Sequence, residues 1–364
     1  MSTPETPGSA DSPTRISKRS LTLVVAGVTL VVVTCMAFLI PVPYATMRPG
    51  PAFNTLGDFD DKPMIEFGKG VETYKTSGEL NFTTVSVSRA DTKLSLARAI
   101  SVYFDGDAAV VPRSLLYPDH QSQKDSSAEA AAQLSGSKQT SEVAALTAAG
   151  FKVTTVPVVG AVTKDSPADG NLESGDRILA VDGKAVSEPD AIATSIADRK
   201  PGAPVTIKIE RAGASKDVTF NTEAGKDDPS KARVGITLGA DYDLPIDITN
   251  NVGNSIGGPS AGTMFALAIY DMLTPGELTG GKSIAGTGEM AADGTVGAIG
   301  GIRQKMAGAS KAGAKIFLAP APNCSEAASG DDFGLKVVKI TTLDSAINSL
   351  EKLAKDPKAA VPSC

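Results

Sequence analysis

From Leu21 to Ile40 the chain reads LTLVVAGVTLVVVTCMAFLI, without one charged residue. A helix needs about 20 consecutive apolar residues to cross the hydrocarbon core of a bilayer, and this run meets that length. It predicts a transmembrane helix and obliges the rest of the chain to fold on one side of a membrane. Arg15, Lys18 and Arg19 precede the run, and a basic flank stays in the cytoplasm. The expected localisation is a single pass through the cell membrane, with the N-terminus cytoplasmic and everything beyond residue 40 extracytoplasmic. A cleaved signal peptide is the rival reading; its apolar region is normally about 7–15 residues and ends at a small-x-small site. Here the run is longer and leads into PVPYATM, without a clean Ala-x-Ala. Residues 1–20, rich in Ser, Thr and Pro, are expected as a disordered tail, and residues 41–60 as a Pro/Gly connector.

The scarce residue types exclude much chemistry. His120 is the one histidine, so a multi-His metal site is ruled out, and a His-based triad would have to use a residue in the polar stretch YPDHQSQKDSS. Cys35, Cys324 and Cys364 have no paired metal-ligand spacing. No metal or other cofactor is expected. Cys35 lies within the membrane span. Cys324 and Cys364 would both lie outside the cell, where oxidation is permitted; they are either bridged or two free thiols. A net charge of −6, with both signs interspersed, argues against a nucleic-acid partner, which needs a concentrated basic patch. With 41% hydrophobic residues, 5% aromatics and no Trp, the core must be built from Val, Ile, Leu and Ala.

Beyond the connector, GELNFTTVSVSR (78–89) alternates and is β-branched, so it reads as a strand. Residues 94–104 read as a short amphipathic helix, and 128–149 as helical with a loop inside. From Phe151 to about Ala224 the pattern changes to strands, a turn at SPADGNLESGD, the strand RILAVDG, the helix PDAIATSIAD and the strand APVTIKIER. Ser166-Pro167-Ala168, Leu172, Gly175-Asp176, Ile178, Val181-Asp182-Gly183 and Val205–Arg211 together resemble a PDZ domain. Such domains take a peptide as an extra strand on a sheet edge. The resemblance implies protein or peptide partners bound through exposed C-termini, with Ala149-Gly150-Phe151 as the carboxylate loop; an ordinary turn is the alternative at those three residues.

The chemistry lies after residue 230. GGPSAG at Gly257–Gly262 contains G-x-S-x-G, and TMFALAIYDML follows. Pro259 suits a helix start, and a helix apolar nearly all round should be buried. Ser260 would then stand at a buried helix N-terminus, where free backbone N–H groups can stabilise an oxyanion. A Gly-rich helix entry with a capping Ser is the plainer reading. An α/β-hydrolase order needs a His after the Ser, and none follows Ser260. The base must come from another residue, and Lys is the usual candidate. IGGIRQKMAGASKAG (299–313) reads as a helix after Gly300-Gly301, with Arg303, Gln304, Ser310 and Lys311 on a polar side. Lys305 instead has Gly301, Ile302, Gly308 and Ala309 as its helical neighbours. A Lys on such a face is desolvated, which lowers its pKa by up to about 3–5 units and frees a neutral amine as base. The alternative is a Lys snorkelling off a packed face.

The two segments together resemble the proteolytic domain of the Lon protease family. Gly258-Pro259-Ser260-Ala261-Gly262 carries the resemblance, then Thr287-Gly288-Glu289, then Val296 to Lys305, then Gly313-Ala314-Lys315 leading into a strand. The resemblance implies Ser260 and Lys305 as a catalytic dyad, with Thr287 close to the Lys and Gly258, Pro259 and Ala261 shaping the nucleophile turn. One departure is Gly257, where Lon-type chains usually carry an Asp. GELNFTTVSVSR is similar to the family's opening strand, which would make the PDZ-like unit an insertion; two consecutive domains are the alternative. A ring-like homo-oligomer is a further implication.

Gly276-Glu277-Leu278-Thr279-Gly280-Gly281-Lys282-Ser283 satisfies G-x-x-x-x-G-K-S, the phosphate-cradling loop of nucleotide hydrolases. That loop must follow a strand and open a helix; this one follows a helix and leads into a strand-like IAGTGEM, so no nucleotide is expected. The sequence thus predicts an α+β fold with a transmembrane helix at 21–40, a first protease segment within 41–150, a PDZ-like unit at 151–225 and a Lon-like segment at 230–355. It predicts an ATP-independent serine endopeptidase in contact with membrane lipid. A catalytically inactive PDZ scaffold on a Lon-like fold is the rival. A Ser–Lys signal peptidase would need a hydrophobic, membrane-facing surface beside the dyad, and the sequence shows none.

Overall fold

A computed structural model describes residues 17–117, 121–253 and 255–364; the expected tail as far as residue 16, with Arg15, and the lone His120 lie outside the described residues. Helix α1 (Lys18–Leu39) starts where the Ser17 hydroxyl accepts from Ser20 N–H at 3.1 Å, and none of its residues is buried. It is long and apolar enough to cross a membrane.

The expected connector is in part a strand. β1 (Tyr44–Asn54) holds Pro49, Gly50 and Pro51 because its pairing shifts register between Pro49 and Ala52. A bulge is where a sheet tolerates Pro. Gly50 is needed there: a Cβ would come within 2.9 Å of the Thr84 backbone. β2 (Glu79–Val87) follows, as the alternation predicts. Helix α2 (Leu96–Tyr103) begins two residues later than expected, because Leu94 and Ser95 pair with Val42 and Pro41. β3 (Ala109–Pro112) comes next. α3 (Gln123–Ala148) is one unbroken helix, without the expected inner loop. A Ser122–Asp125 capping box starts it, and open space surrounds Gly136.

Five strands and a helix come next: β4 (Thr154–Val162), β5 (Arg177–Val181), α4 (Pro189–Ala197), β6 (Pro204–Arg211), β7 (Ala214–Asn221) and β8 (Ile236–Asp243). The chain then forms α5 (Gly262–Leu273), β9 (Ser283–Gly286), α6 (Ile302–Lys311), β10 (Ile316–Pro320), β11 (Lys336–Ile340) and α7 (Leu343–Lys355).

Among the described residues two six-stranded sheets result. One runs β11-β10-β9-β2-β1-β3, parallel from β11 to β2 and antiparallel thereafter. The other runs β7-β6-β5-β4-β8, all antiparallel, with a short strand at Lys184–Ala185 beside β5. Each sheet has its own apolar core. Leu80, Phe82, Met264, Phe265, Leu267 and Leu318 are buried in the first, with Val159, Ile178, Ile192, Ile207 and Ile209 in the second. The chain contributes β1, β2 and β3 to the first sheet, builds the whole second sheet, and then returns with β9, β10 and β11. The second sheet also takes in β8, so it extends past the boundary at residue 225 read from the sequence. Ile236 and Leu238 pack on its core, and that apolar alternation is what seats β8 there.

Candidate active site

The GGPSAG segment does not open the helix as expected. α5 begins at Gly262 with Ala261 as its N-cap, so Pro259 and Ser260 lie in the turn before it. α3 holds that turn from one side. Gly258 N–H donates to Ala130 O at 2.9 Å, Ser137 Oγ to Pro259 O at 2.8 Å, and Ser141 Oγ to Gly262 O at 2.9 Å. On the other side Gly288 N–H and Thr287 Oγ1 both donate to Ser260 O at 2.9 Å. Gly258 has φ +87°, which a side chain rarely adopts. Gly257, where the family resemblance expects an Asp, is pressed on α3: a Cβ there would come 2.7 Å from Ala130 Cβ. The loss of that Asp therefore goes with a close helix contact.

α6 brings Lys305 to the same point. Its N-cap, Gly301, is left-handed at φ +69°, and a Cβ there would meet Met47 Cε at 2.7 Å. At Gly308 a Cβ would lie 2.8 Å from Gly50 O, so α6 lies directly on β1. This close approach buries Lys305 to 2% exposure. Gln304, expected on the polar side of α6, is buried as well; Lys311 is exposed and pairs with Asp107 at 2.6 Å.

Lys305 Nζ lies 2.8 Å from Ser260 Oγ, 3.0 Å from Thr287 Oγ1 and 2.9 Å from Thr83 O. Burial alone pulls its pKa from 10.5 down to about 7, because the charged ammonium loses its hydration. The proton inventory then orients the amine. Thr287 has one hydroxyl hydrogen, given to Ser260 O, so its oxygen accepts from Lys305. A neutral amine has two N–H bonds and one lone pair. With Thr83 O and Thr287 Oγ1 taking the hydrogens, the lone pair faces the Ser260 hydroxyl. An amine so placed can accept that proton.

The backbone donors near Ser260 are fewer than a helix start suggests. Gly262, Thr263, Met264 and Phe265 N–H groups all bond internal carbonyls. Among the described residues the N–H groups of Ser260 and Ala261 have no internal acceptor.

The structure thus brings together Ser260, Lys305 and Thr287, with Gly258, Pro259 and Ala261 in the turn. Ala149, Gly150 and Phe151, read from the sequence as a carboxylate loop or an ordinary turn, lie at the end of α3. Gly150, at φ +85°, ends α3, with Gly150 N–H on Thr147 O and Phe151 N–H on Leu146 O. This is a helix C-cap, and Phe151 packs on the core of the first sheet. Sequence reasoning missed Thr83, Ala130, Ser137 and Ser141. For Thr83 the strand pattern was a usable signal; the α3 serines carry none that separates them from surface serines.

The phosphate-loop match leads into β9, as its flanks suggested, and opens no helix. Lys282 Nζ is occupied by Leu353 O at 3.0 Å.

Residues 250–349 match the family model for the Lon protease C-terminal proteolytic domain, and residues 128–222 match that for the PDZ domain. Among solved structures, the PDZ domain of an SdrC-like protein from Listeria monocytogenes is similar at 28% identity, over 22% of this chain and 85% of that one, with a TM-score of 0.21. A solution structure from Geobacillus thermodenitrificans is similar at 26% identity, over 22% of this chain and 92% of that one, with a TM-score of 0.21. An HtrA-type protease solved with a tripeptide is similar at 27% identity, over 22% of this chain and 23% of that one, with a TM-score of 0.17.

The two family matches define a protease that carries a PDZ domain on a mixed helix-and-strand fold. Within that class the chain is a PDZ-containing Lon-like protease with one N-terminal apolar helix.

Proposed function

We propose that this protein is a membrane-anchored, ATP-independent serine endopeptidase in which Ser260 is the nucleophile and Lys305 the general base. The 2.8 Å contact between Ser260 Oγ and a Lys305 Nζ whose pKa burial has lowered to about 7 carries the reading. Ser260 Oγ attacks the scissile carbonyl as its proton passes to Nζ. The carbonyl oxygen takes the electron pair and is held by the Ser260 and Ala261 N–H groups. The Lys305 ammonium keeps Thr83 O and Thr287 Oγ1 as acceptors and gives its third proton to the leaving amine. Water then hydrolyses the acyl-enzyme, with Lys305 again as base.

The PDZ-like unit, in this reading, is an insertion in the proteolytic domain and selects substrates through exposed C-termini. One of the two edges of its sheet is β8, which lies beside α4, and a peptide would add there as a strand. α1 is the anchor, with the catalytic part extracytoplasmic. The rival inactive scaffold gives no reason for a buried amine to face a serine hydroxyl. The test is fluorophosphonate labelling of the purified chain, with the adduct mapped by mass spectrometry. Ser260 should be the modified residue, and Ser260→Ala should abolish labelling. An adduct on another residue, or none with a folded protein, would reject the assignment.

A further inference from the structure

α2 carries more apolar surface than the fold covers. Ala99 and Val102 are buried in the domain. Leu96, Ile100 and Tyr103, at helical i, i+4, i+7 spacing, remain exposed, and Phe104 at the helix end is 80% exposed. Tyr103 and Phe104 meet edge-to-face with their ring centroids 5.6 Å apart. Leu115, after β3, is 74% exposed. Soluble surfaces rarely gather large apolar side chains in this way unless the patch has a partner.

The backbone fixes where this patch lies. Pro41 and Val42, immediately after α1, pair with Ser95 and Leu94, immediately before α2. Leu96 N–H reaches Ile40 O at 3.4 Å, and Arg113 N–H donates to Pro43 O at 3.0 Å. The start of α2 and the turn bearing Leu115 are therefore tied to the first residues after the apolar helix. α2 packs beside α1, none of whose residues is buried, so the two exposed apolar surfaces adjoin. Aromatic rings and an amphipathic helix at that level suit the headgroup boundary.

We propose that the outward face of α2, with Phe104 and Leu115, rests in the lipid interface and holds the proteolytic domain against the membrane. The inference rests on α1 being a membrane anchor. The natural chain has no Trp, so a single introduced Trp reports its own surroundings. The full chain would be reconstituted in phosphatidylcholine–phosphatidylglycerol vesicles with and without brominated acyl chains. Three variants would be compared: Val31→Trp in α1, Phe104→Trp, and Lys216→Trp on exposed β7. Brominated lipid should quench Val31→Trp strongly, Phe104→Trp at least half as much, and Lys216→Trp hardly at all. Adding Leu96→Glu and Ile100→Glu to Phe104→Trp should at least halve its quenching. If Val31→Trp is quenched and Phe104→Trp is not, the interface proposal is wrong and the anchor stands. A Phe104→Trp emission that is blue-shifted but unquenched would assign the face to a protein partner, and equally overturn it. If Val31→Trp is not quenched either, the anchor reading fails and takes this proposal with it.

Discussion

Lys305 Nζ donates to the backbone carbonyl of Thr83 at 2.9 Å, across 222 residues of sequence. With Thr287 Oγ1 as the second acceptor, the two N–H bonds of the neutral amine are placed and its lone pair is left for Ser260. The carbonyl cannot be removed by mutation, but Thr287 can be tested. Thr287→Val deletes both the acceptor for Lys305 and the donor to Ser260 O. It should lower kcat by about 10–100-fold, the effect of roughly 1.4–2.8 kcal/mol, with KM little changed. Thr287→Ser keeps the hydroxyl and should retain most activity. Equal losses in both variants would point to packing instead of hydrogen bonding.

In the mechanism we propose the working form of Lys305 is unprotonated, so peptide hydrolysis should rise with pH through about 7, where burial places its pKa. Lys305→Arg keeps the charge but supplies no base, because a guanidinium stays protonated. It should be as inactive as Ser260→Ala while remaining folded by circular dichroism. Lys311→Arg, on the exposed end of α6, should stay near wild type. A Lys305→Arg protein that cleaves at more than a few per cent of the wild-type rate would move the base to another group.

The same depressed pKa makes a stability prediction of definite sign. Between about 7 and 10.5 the unfolded chain keeps the Lys305 proton, whereas the folded chain has released it. The unfolded state binds more protons over that window, so unfolding free energy rises with pH there, at a limiting slope of about 1.4 kcal/mol per pH unit. Below that window the contribution is flat and unfavourable to folding. Lys305→Met has no such titration, while every other group is common to both proteins. The wild-type minus Lys305→Met difference, from urea titrations at several pH values, should climb between pH 7 and 10. Parallel curves would mean that Lys305 is not desolvated in the folded protein.

The parts legible in the sequence are those written as local patterns. The charge-free run predicted α1, the alternation at 78–89 predicted β2, and the wholly apolar TMFALAIYDML predicted the buried α5. The absence of a His after Ser260, together with the small residues around Lys305, pointed to an amine as partner. What escaped was set by contacts between distant segments. Tyr44–Asn54 reads as a connector because of Pro49 and Pro51, yet a bulge lets it sit in the sheet. β8 lies beyond the apparent end of the PDZ pattern and becomes part of that sheet only by pairing with β4. Ala149-Gly150-Phe151 suits a binding loop and a helix C-cap equally well until the path of α3 is known.

Cys324 and Cys364 are joined in a disulfide, which resolves the alternative left open by the sequence, and Cys35 is free. The bond holds the chain end along β11, one of the two edge strands of the first sheet. Lys339 N–H donates to Pro362 O at 3.0 Å, and Val338 forms a bridge with Ser363. Unpaired edge groups invite pairing with another chain, so this tail protects the edge as well as closing a loop. With a sequence separation of 40, the chain-entropy estimate for the closed loop is about 4 kcal/mol, and measured values for such bonds are typically about 2–4 kcal/mol. Cys364→Ser should therefore lower the Tm of the full chain by roughly 3–6 °C without altering the pH profile of cleavage, because neither cysteine is among the hydrogen-bond partners of Ser260 or Lys305. Thiol titration of the denatured, unreduced protein should find one reactive cysteine, Cys35. Finding three, or a Cys364→Ser variant as stable as wild type, would show that the bond does not form or does not constrain the chain.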